Sequence, residues 1–135
     1  MTAGPRLFSI LRQGACLIAS IHTALDDSQL LRFQEDLIAT IGRDRARGVV
    51  IDVAALDVLD SFGTRTLRTI GEIARLRGAT TVIVGIQPDV AFAMVSLGMS
   101  TGALVTALDL EEGLELLAGR VGRGTQLTEP RRSDR

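Results

Sequence analysis

The stretch GVVIDVAALDVLDSFGTRTL, Gly48 to Leu67, decides the fold. Val49–Val53 is a continuous apolar run broken only by Asp52, and it reads as a strand buried on both faces. Ala54–Asp60 reads as a loop. Either Asp60 or Ser61 can cap the helix that follows, because a short oxygen-bearing side chain accepts from the free N–H groups of the first turn. That helix carries Leu67, Ile70, Ile73, Ala74 and Leu76 as its apolar stripe, and Gly78 is placed to stop it. A doubly buried strand needs helices on both sides of its sheet, which points to an α/β architecture.

Working outward, the same logic orders the rest of the chain. Leu7–Leu11 and Ala15–Ile21 are short apolar runs around Arg12, Gln13 and Gly14, the pattern of an antiparallel strand pair. Asp26, Asp27 and Ser28 supply caps for a helix whose stripe is Leu30, Phe33, Leu37, Ile38 and Ile41; it is expected to reach about Arg47, with Gly48 closing it. Thr80–Ile86 is β-branched and reads as a buried strand. Pro88 suits the first turn of a third helix ending by Gly98. Ala103–Ala107 is the last strand, and Asp109 caps a fourth helix bearing Leu110, Leu114, Leu117 and Val121. The order ββαβαβαβα predicts a mostly parallel central sheet with an N-terminal antiparallel strand, five strands and four helices in all.

At 135 residues the chain is expected to form one domain, residues 1–121, followed by a disordered basic tail, 122–135. From Gly119 onward five Arg against Glu129 and Asp134 give +3, leaving −4 on the remainder. The net charge of −1 argues against a general nucleic-acid binder. All fifteen basic residues are Arg, so Schiff-base and P-loop lysine chemistry is excluded. Aromatics are 3% of the chain, too few for a base- or sugar-stacking platform or an aromatic ligand pocket. Cys16 has no partner for an internal disulfide, lies in an apolar run and reads as a packed hydrophobe; a single free thiol suits a reducing cytoplasm. His22 ends that run without a nucleophile motif and reads as a loop residue. Val90–Leu108 lacks charge over nineteen residues, but Gly98 and Gly102 split it into a helix and a strand rather than a bilayer span.

Ligands of open α/β sheets collect beyond the carboxyl ends of strands, which draws attention to Asp52, Asp57 and Asp60. A carboxylate-based hydrolase there lacks a nearby His, Lys or Tyr, and a phosphoacceptor role for Asp52 lacks the lysine such sites use. The sharper reading is a switch at Ser61. A hydroxyl at a helix N-terminus is accessible, and a phosphate placed on it gains from the helix dipole and the free N–H groups. It would add about −1.5 to −2 charges beside Asp57 and Asp60 and repel a docked partner.

The three stretches Gly48–Leu67, Gly78–Met99 (GATTVIVGIQPDVAFAMVSLGM) and Ala24–Leu37 (ALDDSQLLRFQEDL), with Thr106–Leu117 (TALDLEEGLELL), together resemble the STAS family, the sulfate-transporter and anti-anti-sigma domain. The likeness covers nearly all of residues 7–118 and falls nearest the short scaffold subunits of the stressosome branch. It implies a non-catalytic cytoplasmic phosphoprotein without metal or cofactor. Such a protein co-assembles with sensor STAS co-antagonist proteins in homo- and hetero-oligomers and sequesters a serine/threonine switch kinase. Phosphorylation by that kinase, on the serine matching Ser61, releases it, and a phosphatase resets the site. Asp57, Asp60, Ser61, Phe62 and Thr64 are the expected partner-binding surface, and Thr64 is expected to be a plain helix-surface residue in preference to a second acceptor. The alternative is a free-standing anti-anti-sigma factor that controls an anti-sigma kinase through the same Ser61.

Overall fold

The computed structural model describes residues 6–96, 98 and 104–125. Among these, strands β1 (Phe8–Gln13), β2 (Cys16–Ile21), β3 (Gly48–Asp52), β4 (Thr80–Val84) and β5 (Val105–Ala107) form one sheet in chain order. β1 and β2 pair antiparallel, Phe8 opposite Ile21 and Gln13 opposite Cys16, and every later pair is parallel. This is the sheet the sequence predicts, in an α/β fold with four helices: α1 (Asp27–Asp44), α2 (Ser61–Leu76), α3 (Pro88–Ser96) and α4 (Leu110–Thr125).

The period-two alternation of β3 shows why both faces must be covered. Val49 and Ile51 point into the larger core with Phe33, Leu37, Ile41, Leu67, Ile70 and Val90, so α1, α2 and α3 lie on that side. Val50 points the other way, with Val82, Val84 and Leu117 of α4. Each such buried aliphatic side chain contributes about 1.5–3 kcal/mol.

Several boundaries differ from expectation. α1 stops at Asp44 because Arg45 takes the left-handed conformation (φ 52°), and its N–H and that of Ala46 both donate to the Ile41 carbonyl. Gly48 therefore opens β3 instead of closing the helix, and it is buried where a Cβ would meet Cys16 Sγ at 3.0 Å. β4 ends at Val84, since Gly85 turns the chain at φ 81°. A Cβ on Gly85 would lie 2.8 Å from that of Ala54 and 3.1 Å from its Cα. The contact is reinforced by Val53 N–H donating to the Val84 carbonyl (3.0 Å) and Gln87 Nε2 to the Ala54 carbonyl (2.7 Å). The loop leading toward Ser61 is thereby stitched to the loop after β4. Gly85→Ala, strained in both φ and space, is expected to cost ~1–3 kcal/mol in urea unfolding.

Within Val90–Leu108, the segment tested for a bilayer span, α3 covers 88–96 and β5 covers 105–107; no helix among the described residues is long and apolar enough to cross a membrane. α4 runs through Gly122, where the tail was expected to begin, to Thr125; positions 126–135 of that tail lie outside the described residues.

The topology also sorts charge. Helices that connect parallel strands run opposite to them, so the helix N-termini gather at the strands' carboxyl end and their C-termini at the other. The N-termini carry Asp26 and Asp27, Asp60, Asp89, and Glu111 with Glu112, while Arg43 and Arg75 lie in the last turns of α1 and α2. Each placement opposes its helix dipole favourably, and together they make one end of the domain acidic and the other basic. The Asp26 carboxylate accepts from Gln29 N–H (2.8 Å) and from the Ser28 hydroxyl (2.8 Å), while Gln29 Oε1 accepts from Asp26 N–H. The Gln29 bond first, then that from Ser28, lowers the Asp26 pKa below the usual carboxylate value. A depressed folded-state pKa means the cap's contribution is full above the unfolded-state value and fades as pH falls through the folded one. Asp26→Asn should flatten that acid limb of a stability–pH curve.

Candidate functional site

The site is the N-terminus of α2 and the loop that delivers it. Asp60 is extended (φ −82°, ψ −176°), its carboxylate accepts from Gly63 N–H at 2.8 Å, and its carbonyl accepts from Thr64 N–H at 2.9 Å. Of the two residues the sequence offered as caps, the structure uses Asp60. Ser61 is consequently the first helical residue, exposed, and its hydroxyl makes no hydrogen bond within the described residues. The N–H groups of Ser61 and Phe62 are among those a helix start leaves without an intrahelical acceptor.

The surroundings combine charge and apolar surface. Asp57 and Asp60 are exposed, as is Val58, at 67%. Leu25, Leu30, Leu56, Val58 and Leu59 line a hollow of about 80 Å³ that reaches Asp60. Sequence reasoning missed this hollow, because its walls come from two loops and from α1, separated by some thirty positions. Phe62 is half-buried.

Thr64 is not part of this surface. It is 4% exposed, and its Oγ1 has no hydrogen-bond partner among the described residues. The expected helix-surface position is corrected by register: Thr64, Leu67, Gly71 and Ala74 follow one another at steps of three or four along the buried stripe. That spacing was readable in the sequence once extended back from Leu67. An unpartnered buried hydroxyl is costly, so Thr64→Val, nearly isosteric, is expected to stabilise the domain by ~1–2 kcal/mol in urea unfolding. Asp60→Ala is expected to cost ~1 kcal/mol through the lost cap.

The remaining candidates are occupied structurally. Asp52 accepts from Ala54 N–H at 2.9 Å and so shapes the turn out of β3. No group of three metal-ligating side chains occurs among the described residues. His22 is exposed and shares a hydrogen bond with Ser9 Oγ (3.0 Å). Cys16 is partly buried against Gly48, and burial raises its thiol pKa, which keeps the nucleophilic thiolate scarce at neutral pH.

A mixed five-stranded sheet backed by helices on both faces, with an exposed serine behind an acidic cap, defines a small α/β domain. The STAS domain profile matches residues 8–111, and the chain belongs to the STAS-domain family. The RsbT co-antagonist protein RsbRA of Bacillus subtilis strain 168 is 28% identical over 91 residues, 67% of this chain; the chain spans 33% of that relative's length. A solved structure of Moorella thermoacetica RsbS carrying a serine-to-glutamate substitution is 33% identical, with a TM-score of 0.75 over 85% of this chain and 97% of that one. A chain from the molecular architecture of the stressosome, a signal integration and transduction hub, is 32% identical with a TM-score of 0.68, covering 84% of this chain and 98% of its own. The likeness to these proteins supports a regulatory role for the domain.

Proposed function

We propose that this chain is a cytoplasmic, non-catalytic stressosome scaffold that co-assembles with sensor STAS proteins, sequesters a serine/threonine switch kinase and releases it when phosphorylated on Ser61. The observation that carries this reading is the free, exposed hydroxyl of Ser61 at the first position of α2, beside Asp57 and Asp60. Because Asp60 does the capping, esterifying the neighbouring hydroxyl breaks no hydrogen bond that holds the fold. The new charge is accommodated by the dipole and the open N–H groups, so the domain stays folded.

The kinase would dock over the same end. Val58 and the adjacent hollow supply apolar contact, and the acidic rim supplies orientation. A dianion added to that rim repels the partner and must be desolvated if the complex is to persist. A phosphatase acting on Ser61 restores the surface. The proximity in sequence and fold to RsbS and to a stressosome chain favours a scaffold over a free-standing anti-anti-sigma factor. Light scattering of this chain mixed with a sensor STAS homologue tests the choice: a particle far larger than a dimer is expected, and a monomer or small dimer in the mixture would reject the scaffold reading.

A further inference from the structure

The basic end of the domain, opposite Ser61, holds a cleft of about 310 Å³ where α1 and α2 end. Arg45, Arg47 and Arg77 line it and no carboxylate does. All three are exposed, and none of their guanidinium groups is hydrogen-bonded or ion-paired within the described residues; the nearby ion pair, Arg43 Nε to Asp44 Oδ1 at 3.2 Å, leaves them out.

The three arginines stand on fixed backbone. Arg45 N–H donates to the Ile41 carbonyl, and Arg45 keeps the left-handed conformation a helix stop ordinarily assigns to glycine. Arg47 N–H donates to Ala15 (2.8 Å), and its carbonyl accepts from Thr80 (3.1 Å). Arg77 N–H donates to Ile73 (3.1 Å) and Ala74 (2.9 Å). Gly42 completes the cleft wall: a Cβ there would lie 2.8 Å from Arg77 Nη2, so that guanidinium rests close against α1.

Arginines near helix C-termini offset the dipole, but the charges do not balance. Two helix ends of roughly half a negative charge each leave about +2 of the three guanidinium charges uncompensated. We propose that this cleft binds a phosphate oxyanion, specifically the dianion of a phosphate monoester or of inorganic phosphate. Such a group carries about −1.5 to −2 charges and matches the planar donor forks of arginine. The site stands whether or not Ser61 is the modified residue.

The test is a titration of the full chain with inorganic phosphate, followed by NMR on the arginine side chains. Shifts confined to Arg45, Arg47 and Arg77 are expected, and Arg47→Ala and Arg77→Ala should each weaken binding about tenfold. Arg32→Ala, which removes an equal charge elsewhere on α1, should leave binding unchanged. Circular dichroism confirms that each variant is folded. No shift, or equal weakening by Arg32→Ala, overturns the proposal. A second arm uses a peptide of residues 57–65 phosphorylated on its serine. Affinity at least about tenfold above inorganic phosphate, with the unphosphorylated peptide silent, assigns the phosphate to a neighbouring protein chain; equal affinity assigns it to the free ion.

Discussion

Incubation with a cognate switch kinase and ATP is expected to place phosphate on Ser61, and Ser61→Ala is expected to abolish that incorporation while keeping the kinase bound. The reason is access. In the first turns of α2, Thr64 is buried at 4% exposure, and Thr66, at 6%, donates its hydroxyl to the Phe62 carbonyl at 2.8 Å. Ser61 alone among these three presents an unbonded hydroxyl to solvent. Like-charge juxtaposition at a desolvated interface costs several kcal/mol, so phosphorylation should weaken kinase binding about a hundredfold or more. Ser61→Asp adds a single charge where phosphate adds about −1.5 to −2, so its effect should have the same direction and be smaller. Mass spectrometry that finds phosphate elsewhere and Ser61 bare would sink the site assignment. Unchanged kinase affinity after stoichiometric modification of Ser61 would sink the release mechanism instead.

The second large effect is expected in the core. Phe33→Ala should destabilise the domain by ~3–5 kcal/mol, measured as a fall in the urea midpoint at unchanged slope. Phe33 is fully buried on α1 and meets Phe8 of β1 edge to face, centroids 5.1 Å apart at 76°. It therefore ties the helix to the antiparallel edge of the sheet, and truncation loses both the transfer term and the ring pair while leaving a cavity. Against a total stability of about 5–15 kcal/mol, such a loss leaves a marginal fold. A cost below ~1 kcal/mol would mean that α1 is not held to the sheet through this residue.

These two positions differ in how much of their role could be read beforehand. Phe33 announces itself through the spacing Leu30, Phe33, Leu37, Ile41, and all four are buried. The Ser61 region was legible as a capped helix start, because Asp60 and Ser61 directly precede the stripe of α2. Which of the two does the capping was not, since either oxygen can reach the same N–H groups; the backbone conformation at Asp60 decides it. Thr64 defies its polarity, which suits a surface place four positions after an exposed cap, because helical register carries it inward.

Periodicity of apolar side chains and the punctuation of caps and glycines determined the order of elements, the parallel sheet and the position of Ser61 at a helix start, because these depend on residues near one another in the chain. Tertiary structure alone decided what lies beside them. The hollow next to Asp60 and the arginine cleft at the far end draw residues from segments some thirty positions apart, and they exist only where packing brings separate loops and helix ends together. No local pattern encodes that adjacency; it follows from how two helices settle on one face of the sheet.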